Sequence, residues 1–336
     1  MTHEFKHIVE SYNLAKKEGY KTVLATVVAL DGSSYRRPGV RMLIWENGKF
    51  TGAVSGGCVE KEIERQVTTV FATGIPKIMT YDGRFRLGCE GILYILIELF
   101  NPNKEFLNLF TVTLKNRKRF SLSSYYIKED SKNYNYGTLC FLEGKTFSIQ
   151  GKKINTSSFY EFTQDMAPNN KLLLIGAEHD AVQLCSFATA LGWDVTVITT
   201  PLQQKDIFDF PGAKELVPVE PELLSTENID AHTAVVLMTH SYAKDLKYLL
   251  AISNTYPMYL GTLGPAKRRE KLLHEFMEQK PDVDLEFIEN IHGPAGLDIG
   301  AETPQEIAIS IMAEILAVVR NKKPIMLKDK VNGIHQ

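Results

Sequence analysis

The sequence predicts an α/β protein built from two domains. Its 336 residues exceed the usual size of one domain, and its 44% hydrophobic and 23% charged residues are ordinary globular values. Apolar, β-branched stretches such as residues 22–30 and 172–175 alternate with helical patterns of apolar residues. We predict a mixed α/β domain over residues 1–155, a linker over 156–170 and a doubly wound parallel sheet over 171–325.

Composition and charge give no support to several classes of protein. A net charge of -2 gives no electrostatic argument for nucleic acid or an acidic membrane surface. The first residues lack the basic start and apolar run of a signal peptide, and the apolar run at 92–100 is short and contains Glu98. We therefore expect a soluble cytoplasmic protein with neither nucleic acid nor membrane as a partner.

The four cysteines do not form a recognisable framework. Cys58, Cys89, Cys140 and Cys185 lie far apart without CxxC or Cys/His ligand spacing, so neither a disulfide scaffold nor a zinc site is indicated. Reduced thiols are expected.

The first domain begins with a helical pattern at residues 4–18, followed by the apolar strand at 22–30 and a second strand at 42–45. The Asn47-Gly48 pair predicts a hairpin that returns the chain to a glycine-rich loop at 52–57. Since apolar residues then recur at helical spacing, this loop should deliver Cys58 onto the first turn of a helix.

The glycine-rich loop predicts an anion site. Unpaired backbone amides at a helix start attract phosphates or carboxylates, and Gly56 and Gly57 would allow a ligand to approach the main chain closely. Glu60 follows in the first turn of the predicted helix. The alternative is a glycine-rich connection with a buried, inert cysteine.

Two further loops could share this site. Residues 32–41 carry Arg37 and Arg41, whose guanidinium groups can make paired contacts with a phosphate or a pterin, although a solvated surface loop is the alternative. The arginines and Cys58 flank one hairpin, which favours a shared pocket. Cys89 lies among small residues just before the strand at 92–99 and could face Cys58.

The segment 103–170 is less regular. We predict a helix at 104–114 and strands at 120–127, 137–142 and 146–149 that complete the first domain.

The second domain opens with a βαβ pattern over residues 171–198, which has the spacing of half a Rossmann fold. The dinucleotide fingerprint is damaged, however. Glu178 replaces the glycine that would approach the pyrophosphate, and Thr199-Thr200-Pro201 stands where a ribose-binding acid is expected. These departures argue against bound NAD(P).

Later strands of this domain run into polar or glycine-rich turns, where ligands of open parallel sheets bind. His240 follows the strand at 234–238, and Gly261 and Gly264 lie in the turn after the strand at 258–260. His240 could exchange a proton with a ligand or could simply satisfy loop carbonyls.

The last helix has the clearest start signal in the chain. Thr303, Pro304 and Glu306 form the pattern of an N-cap, a first-position proline and a capping box. The loop before it, with Gly296 and Asp298, holds more glycine than a plain connection needs, which favours contact with a ligand.

Together these stretches resemble the XdhC/CoxI family of accessory proteins for molybdenum hydroxylases. The matching pieces occur in family order along most of the chain except residues 103–170, and the ordered set is specific to the family. The pieces are residues 32–39 with Met42, 52–60 with the Gly-Gly-Cys-Val-Glu core, 87–91, Thr239-His240 with Asp245, 259–264, and 296–308. Departures fall at Tyr35, Glu90, Glu178 and residues 199–201.

The resemblance implies a family-type N-terminal domain joined to a Rossmann-like C-terminal domain. It also implies a maturation factor that holds molybdenum cofactor (molybdopterin), presents it to a cysteine desulfurase for sulfuration, and passes it to an apo molybdenum hydroxylase of the xanthine dehydrogenase type. No catalytic triad or carboxylate dyad is evident in the chain, so we favour a non-catalytic carrier. The main alternative is an NAD(P)-dependent oxidoreductase, and a third hypothesis is a scaffold that binds the hydroxylase without cofactor. Whether a homodimer forms is left open.

We expect Cys58 to be the thiol beside the metal. The predicted cofactor-binding residues are Gly56, Gly57, Cys58, Glu60, Arg37, Arg41, Cys89, His240, Gly261, Gly264, Gly296 and Asp298.

Overall fold

The computed structural model of the protein describes residues 1–32, 37–55, 57–85 and 91–330. The chain divides into two compact units, Met1–Pro168 and Asn169–Gln336. Each unit has its own sheets and its own apolar core.

The first unit is a mixed α/β structure. Its helices and strands in chain order are α1 (Thr2–Lys17), β1 (Thr22–Asp31), β2 (Arg41–Trp45), β3 (Phe50–Gly52), α2 (Cys58–Thr73), β4 (Lys77–Asp82), β5 (Ile92–Leu99), α3 (Lys104–Lys115), β6 (Phe120–Tyr126), β7 (Ser131–Lys132), β8 (Gly137–Leu142), β9 (Lys145–Ser148) and β10 (Tyr160–Met166). The strands form a six-stranded first sheet in the order β3-β2-β1-β5-β4-β7 and a four-stranded second sheet in the order β10-β6-β8-β9. Neighbouring strands in both sheets are antiparallel.

The first sheet is covered on both faces, which explains why β1 is apolar at nearly every position. Alternate residues of a strand point to opposite faces. Val23, Ala25 and Val27 pack with the apolar stripe of α2, whereas Leu24 packs with α1, α3 and the second sheet.

The segment expected to be a linker contains β10. Residues 160–166 pair in register with β6 across the whole strand, from Tyr160 opposite Tyr126 to Met166 opposite Phe120. The interpretation of residues 156–170 as a linker is therefore corrected for these seven residues. Their polar composition misled the prediction because β10 is the edge of its sheet and most of its side chains are exposed or half-buried.

The second unit is a doubly wound parallel sheet, as predicted. Its helices and strands are β11 (Lys171–Ile175), α4 (His179–Ala190), β12 (Asp194–Thr199), β13 (Glu215–Pro218), β14 (Thr233–Leu237), α5 (Tyr242–Ile252), β15 (Tyr259–Thr262), α6 (Ala266–Gln279), α7 (Leu285–Glu289), β16 (Ile291–His292) and α8 (Pro304–Val319). The parallel strands lie in the order β13-β12-β11-β14-β15-β16, the strand order 3-2-1-4-5-6 of dinucleotide-binding folds.

Helices cover both faces of this third sheet. One face packs against α4 and α8, and the other packs against α5, α6 and α7. The predicted capping box starts α8: the amide of Glu306 donates to Thr303 Oγ1 at 3.3 Å, and the amide of Thr303 donates to Glu306 Oε2 at 2.9 Å. Among the described residues, no helix combines the length and the apolar character needed to cross a membrane.

Candidate functional site

Three motif loops leave the first sheet at the same end. Because neighbouring strands run antiparallel, the carboxyl ends of β1, β3 and β4 lie beside the amino ends of β2 and β5. The loop after β1 carries Arg37, the loop after β3 leads to Cys58, and the loop after β4 contains Cys89. We call the described residues of this region, 31–32, 37–41, 52–55, 57–60, 82–85 and 91–92, the loop end of the first sheet. The topology thus brings together three segments that are far apart in the sequence.

Cys58 is the first residue of α2, as predicted, and its side chain is exposed. Gly57 precedes it with a φ of 107°, a value that residues other than glycine rarely adopt. Within the described part of the chain, neither the amide nor the thiol of Cys58 has a hydrogen-bond partner. The glycine therefore supplies the sharp turn that presents an open thiol at the start of a helix.

The carboxylate of Glu60 fills the amide cradle of the glycine-rich loop. Its Oε1 accepts the amides of Val54 at 3.0 Å and Ser55 at 2.5 Å, and its Oε2 accepts the amide of Gly57 at 2.7 Å. Burial by itself would raise the pKa of Glu60, but these bonds together hold it below its usual value. The negative charge also lies in the first turn of α2, where the helix dipole favours it.

This arrangement corrects the prediction that the loop amides cradle a ligand. The chain's own carboxylate occupies the amides of Val54, Ser55 and Gly57, so an external anion would have to displace Glu60. Gly56, which was predicted to take part in the same cradle, lies outside the described residues.

Arg41 points away from Cys58. Its side chain is buried on the face of the first sheet that packs against α1, where it donates to the carbonyl of Gly39 at 2.9 Å and to Gln164 Oε1 at 2.5 Å and lies over the ring of Phe5. Burial lowers the pKa of Arg41 to about 10. Since α2 packs on the opposite face, the structure does not support the predicted contact of Arg41 with a ligand at Cys58. Strand alternation decides the side, and the sequence motif does not reveal it.

Arg37 is exposed at the loop end of the first sheet. It is the one arginine of the predicted pair whose side chain reaches this surface. Cys89 lies outside the described residues, so its predicted position facing Cys58 stays a prediction.

Two ion pairs that the sequence did not predict border the loop end. Asp31, at the end of β1, accepts Lys128 Nζ at 2.6 Å and the hydroxyl of Tyr94 at 3.0 Å. Asp82, at the end of β4, accepts Arg84 through Nε at 2.9 Å and Nη2 at 2.7 Å. The hydrogen bond from Lys128 lowers the pKa of Asp31, and the hydrogen bonds from Arg84 lower the pKa of Asp82. No local sequence signal joins Asp31 to Lys128, because 97 positions separate them.

In the second unit, acidic groups lie where a dinucleotide would place its pyrophosphate. Glu178 is the N-cap of α4 and accepts Gln203 Nε2 at 2.8 Å, and Asp180 in the first turn lies 3.3 Å from His240 Nε2. The crevice beside them, at the carboxyl ends of β11, β12 and β14, has a volume of about 10 Å³, room for about one water molecule. His240 is thus paired with an acid at the predicted edge of the sheet.

The carboxyl end of β14 is anchored to α6. Asp245 accepts the hydroxyl of Thr239 at 2.6 Å and Arg268 Nη2 at 2.5 Å, and burial raises its pKa. Asp245 and Thr239 therefore shape the loop that carries His240.

The glycines predicted to contact a ligand in this unit have packing roles. A Cβ on Gly261 would lie 2.7 Å from Cε1 of Tyr259, one on Gly264 would lie 2.8 Å from Cδ of Arg268, and one on Gly296 would lie 2.4 Å from Oγ of Ser310. The amide of Gly296 donates to Glu314 Oε2 at 2.8 Å.

Asp298 is exposed near the tip of the loop before α8. Close packing explains Gly293 and Gly296 of that loop, whereas Gly300 has open space around it.

Comparison with known sequences identifies the family. Residues 15–82 match the sequence model of the XdhC and CoxI family, and residues 172–315 match that of the XdhC Rossmann domain. The chain belongs to the XdhC and CoxI family. Both matches fall on the units described above, and the first includes the turn that presents Cys58.

Curated relatives and a solved structure cover nearly the whole chain of this XdhC/CoxI family member. It is 29% identical over 320 residues to a probable xanthine dehydrogenase subunit of Bacillus subtilis, covering 88% of this chain and 92% of the relative. It is 25% identical over 327 residues to the molybdenum cofactor insertion chaperone PaoD of Escherichia coli, covering 95% and 90%. A crystal structure described as a xanthine dehydrogenase from Bacillus halodurans superimposes with a TM-score of 0.78 at 25% identity, covering 94% of this chain and 96% of that chain.

The donor set at the loop end of this family member is simple. In the parts of the chain that the structure describes, no three His, Cys, Asp or Glu side chains converge as a metal-binding group. Among the described residues, Cys58 offers one soft sulfur ligand for a metal at this surface.

Proposed function

We propose that this protein carries molybdenum cofactor to an apo molybdenum hydroxylase of the xanthine dehydrogenase type and assists sulfuration of the cofactor on the way. The observation that carries the proposal is the exposed thiol of Cys58 at the loop end of the first sheet. The family membership and the name of the PaoD relative support the same cargo.

The two ends of the cargo require different groups. Thiolate sulfur is a soft ligand that suits a metal such as molybdenum, so Cys58 would hold the metal end. The amides of the glycine-rich loop are taken by Glu60, so the anionic pterin phosphate requires side-chain cations. Arg37 is the described cation of the motif that is exposed on this surface.

The exposure of the thiol fits transfer better than storage. An exposed thiol ligand leaves the metal reachable by a second protein, such as a cysteine desulfurase that delivers sulfur or the apo-hydroxylase that receives the cofactor. The chain's own residues then bind and orient the cargo without an acid-base step.

Loading experiments test this function. Wild type, Cys58→Ser and the control Glu64→Gln, an exposed position on the same helix, are each mixed with molybdenum cofactor and desalted. Molybdenum and pterin are then measured per chain. Wild type and the control should retain both, and Cys58→Ser should retain at least about tenfold less, equal to about 1.4 kcal/mol. Equal retention by all three proteins would place the cargo away from Cys58.

A second measurement addresses delivery. Loaded protein is incubated with apo-hydroxylase, with and without a cysteine desulfurase and cysteine, and hydroxylase activity is followed. Activity should require loaded protein and should increase with the desulfurase. A protein that pulls down the hydroxylase but never retains cofactor would instead be a scaffold.

A further inference from the structure

A polar crevice lies between α2 and the edge of the first sheet formed by β4 and β7. Its volume is about 370 Å³, a size typical of small-molecule sites. We call it the α2–β4 crevice. Its residues lie outside the loops that carry the sequence motifs, and they are Glu62 and Gln66 of α2, residues 77–80 of β4 and residues 130–132.

Two lysines face each other at the edge of this crevice. Lys77 of β4 lies directly opposite Lys132 of β7 in the antiparallel register, so both side chains leave the same face of the sheet. Like charges placed directly opposite each other destabilise a sheet. The ammonium of Lys77 donates to Oε1 of Gln66, whereas Lys132 is exposed. Burial, and after it the charge of Lys132, lowers the pKa of Lys77, so an acceptor group bound between the two lysines would relieve their repulsion.

Two carboxylates flank the lysines. Glu62 accepts Gln66 Nε2 at 2.6 Å and Arg65 Nη1 at 3.1 Å, so both of its oxygens are engaged. Asp130 accepts the amide of Thr80 through Oδ1 at 2.7 Å, and its Oδ2 has no hydrogen-bond partner within the described residues. Since a carboxylate offers about four acceptor positions, Asp130 can accept two further N–H groups.

The crevice therefore combines equal numbers of positive and negative side chains. A simple anion would gain from the lysines but would be repelled by the carboxylates. A ring that carries adjacent N–H donors beside a carbonyl acceptor satisfies both kinds of group, and the 2-amino-4-oxopyrimidine edge of a pterin or a guanine has this arrangement. Met79, which packs with α2, gives the crevice an apolar wall, and its thioether suits contact with an aromatic ring.

The crevice and Cys58 share one side of α2. Glu62 and Gln66 follow Cys58 at intervals of four residues, a spacing that aligns side chains along a helix. Because an α-helix rises 1.5 Å per residue, these two side chains start about 6 and 12 Å along the axis from Cys58. The separation between the metal and the far edge of a fused pterin ring system is of this order. A cargo whose metal is bound by Cys58 can thus extend its pterin to the crevice.

We propose that the α2–β4 crevice binds the pterin ring of the cargo, with Asp130 accepting its amino and ring N–H groups and Lys132 donating to its carbonyl. This assignment rests on the proposed function for the identity of the cargo. The crevice orients the pterin end, while Cys58 holds the metal end and Arg37 meets the phosphate.

A pterin without metal or phosphate tests the crevice in the full-length protein. The probe is 6-hydroxymethylpterin, and its fluorescence is followed as protein is added in excess. Lumazine, which has an oxygen in place of the 2-amino group of pterin, is the control ligand, and guanosine is added as a competitor. The variants are Asp130→Asn and Lys132→Met, with Glu129→Gln and Lys153→Met as controls at exposed positions of the same unit. Urea unfolding checks that each variant is folded.

Wild type and both controls should bind the pterin with a dissociation constant of about 1 mM or tighter. Lumazine should bind at least about tenfold more weakly, because its second oxygen would face the carboxylate of Asp130. Asp130→Asn should weaken pterin binding at least about tenfold, and Lys132→Met at least about threefold.

Three results would each overturn the proposal: no binding of the pterin by wild type, equal binding of pterin and lumazine, or undiminished binding by Asp130→Asn. Tighter binding of guanosine than of the pterin would also overturn it and assign the crevice to a guanine nucleotide. The probe contains no molybdenum, so these results are separate from the molybdenum retention that tests Cys58. Pterin binding without molybdenum retention would reject the carrier function alone, and the reverse result would reject the crevice alone.

Discussion

The amide of Gly57 donates a 2.7 Å hydrogen bond to the carboxylate of Glu60, three positions further along the chain. The same carboxylate accepts the amides of Val54 and Ser55, so one side chain ties the glycine-rich loop to the first turn of α2. Because Cys58 lies between Gly57 and Glu60, the loop can hold its thiol outward without burying it. Glu60 is thus an internal anion in a loop whose sequence predicts an anion from outside.

Replacing Glu60 with glutamine should loosen this loop. The amide side chain keeps one oxygen acceptor but turns an N–H group toward backbone donors, so we expect the free energy of unfolding to fall by about 1 to 3 kcal/mol at pH 7. The lowered pKa of Glu60 means that its contribution is fully present above the unfolded value of 4.5 and is lost as the pH falls through the lower folded value. Urea unfolding across this pH range measures both effects.

Glu64→Gln provides the matched control, since Glu64 is exposed on the same helix. It should change the free energy of unfolding by no more than about 0.5 kcal/mol. Equal effects of the two substitutions would show that the three amide bonds of Glu60 add nothing to stability.

Local patterns in the sequence predicted the elements well. The capping box of Thr303 and Glu306 is found as expected, because it depends only on residues within one helical turn. In the same helix Ala308, Ile311, Met312 and Ile315 are buried along one stripe. Val319 is 37% exposed because it is the last residue of α8.

The site was harder to predict because its contacts cross strands. The face on which Arg41 lies depends on the register of β2 against β1, and a shift of one residue would have placed its side chain beside α2. The lysine that pairs with Asp31 lies 97 positions further along the chain, after β6. The role of Glu60 was readable in principle from its position three residues after Gly57, the spacing of a capping box.

The cysteines of the described residues should differ sharply in reactivity. Cys58 is exposed, whereas burial raises the pKa of Cys140 strongly and raises that of Cys185 to about 11. Thiolates are the reactive form, so iodoacetamide at pH 8 should label Cys58 at least about 100-fold faster than either buried thiol. Peptide mass spectrometry in a Cys89→Ser background measures the three rates.

Urea-unfolded protein is the control for the alkylation experiment. Unfolding should bring the three rates within about threefold of one another, because the burial that separates them is gone. Labelling of Cys140 as fast as Cys58 in the folded protein would contradict the packing of the second sheet on the first.

Glu98 should make the first unit less stable as the pH rises toward neutrality. It is completely buried, and burial raises its pKa from 4.5 to about 7 despite hydrogen bonds from Thr138 and Gln150. The folded state therefore holds a proton that the unfolded state releases between pH 4.5 and 7. Stability should fall over this interval by up to about 3 kcal/mol and level off above it.

Glu98→Gln should flatten that slope. A glutamine oxygen can still accept the amides of Thr138 and Gln150, while its N–H group donates to the hydroxyl of Thr138, so the fold is retained. Urea unfolding from pH 5 to 8 compares wild type, Glu98→Gln and the exposed control Glu105→Gln. A slope that persists in Glu98→Gln and vanishes in the control would assign the titration to another carboxyl.

Dinucleotide binding by the second unit should be weak and should be opposed by Glu178. The strand order is that of dinucleotide-binding folds, but Glu178 and Asp180 place two carboxylates at the start of α4, where a pyrophosphate would lie. One such charge about 5 Å from a phosphate repels it by about 1 to 3 kcal/mol, a factor of roughly 5 to 150 in affinity.

Titration of NADH fluorescence should give a dissociation constant of about 1 mM or weaker for wild type. Glu178→Gly should tighten it by a factor within that range, whereas Glu215→Gly, at the amino end of the edge strand β13, should leave it unchanged. Tight binding by wild type, or no gain in Glu178→Gly, would mean that the acidic start of α4 does not control nucleotide access.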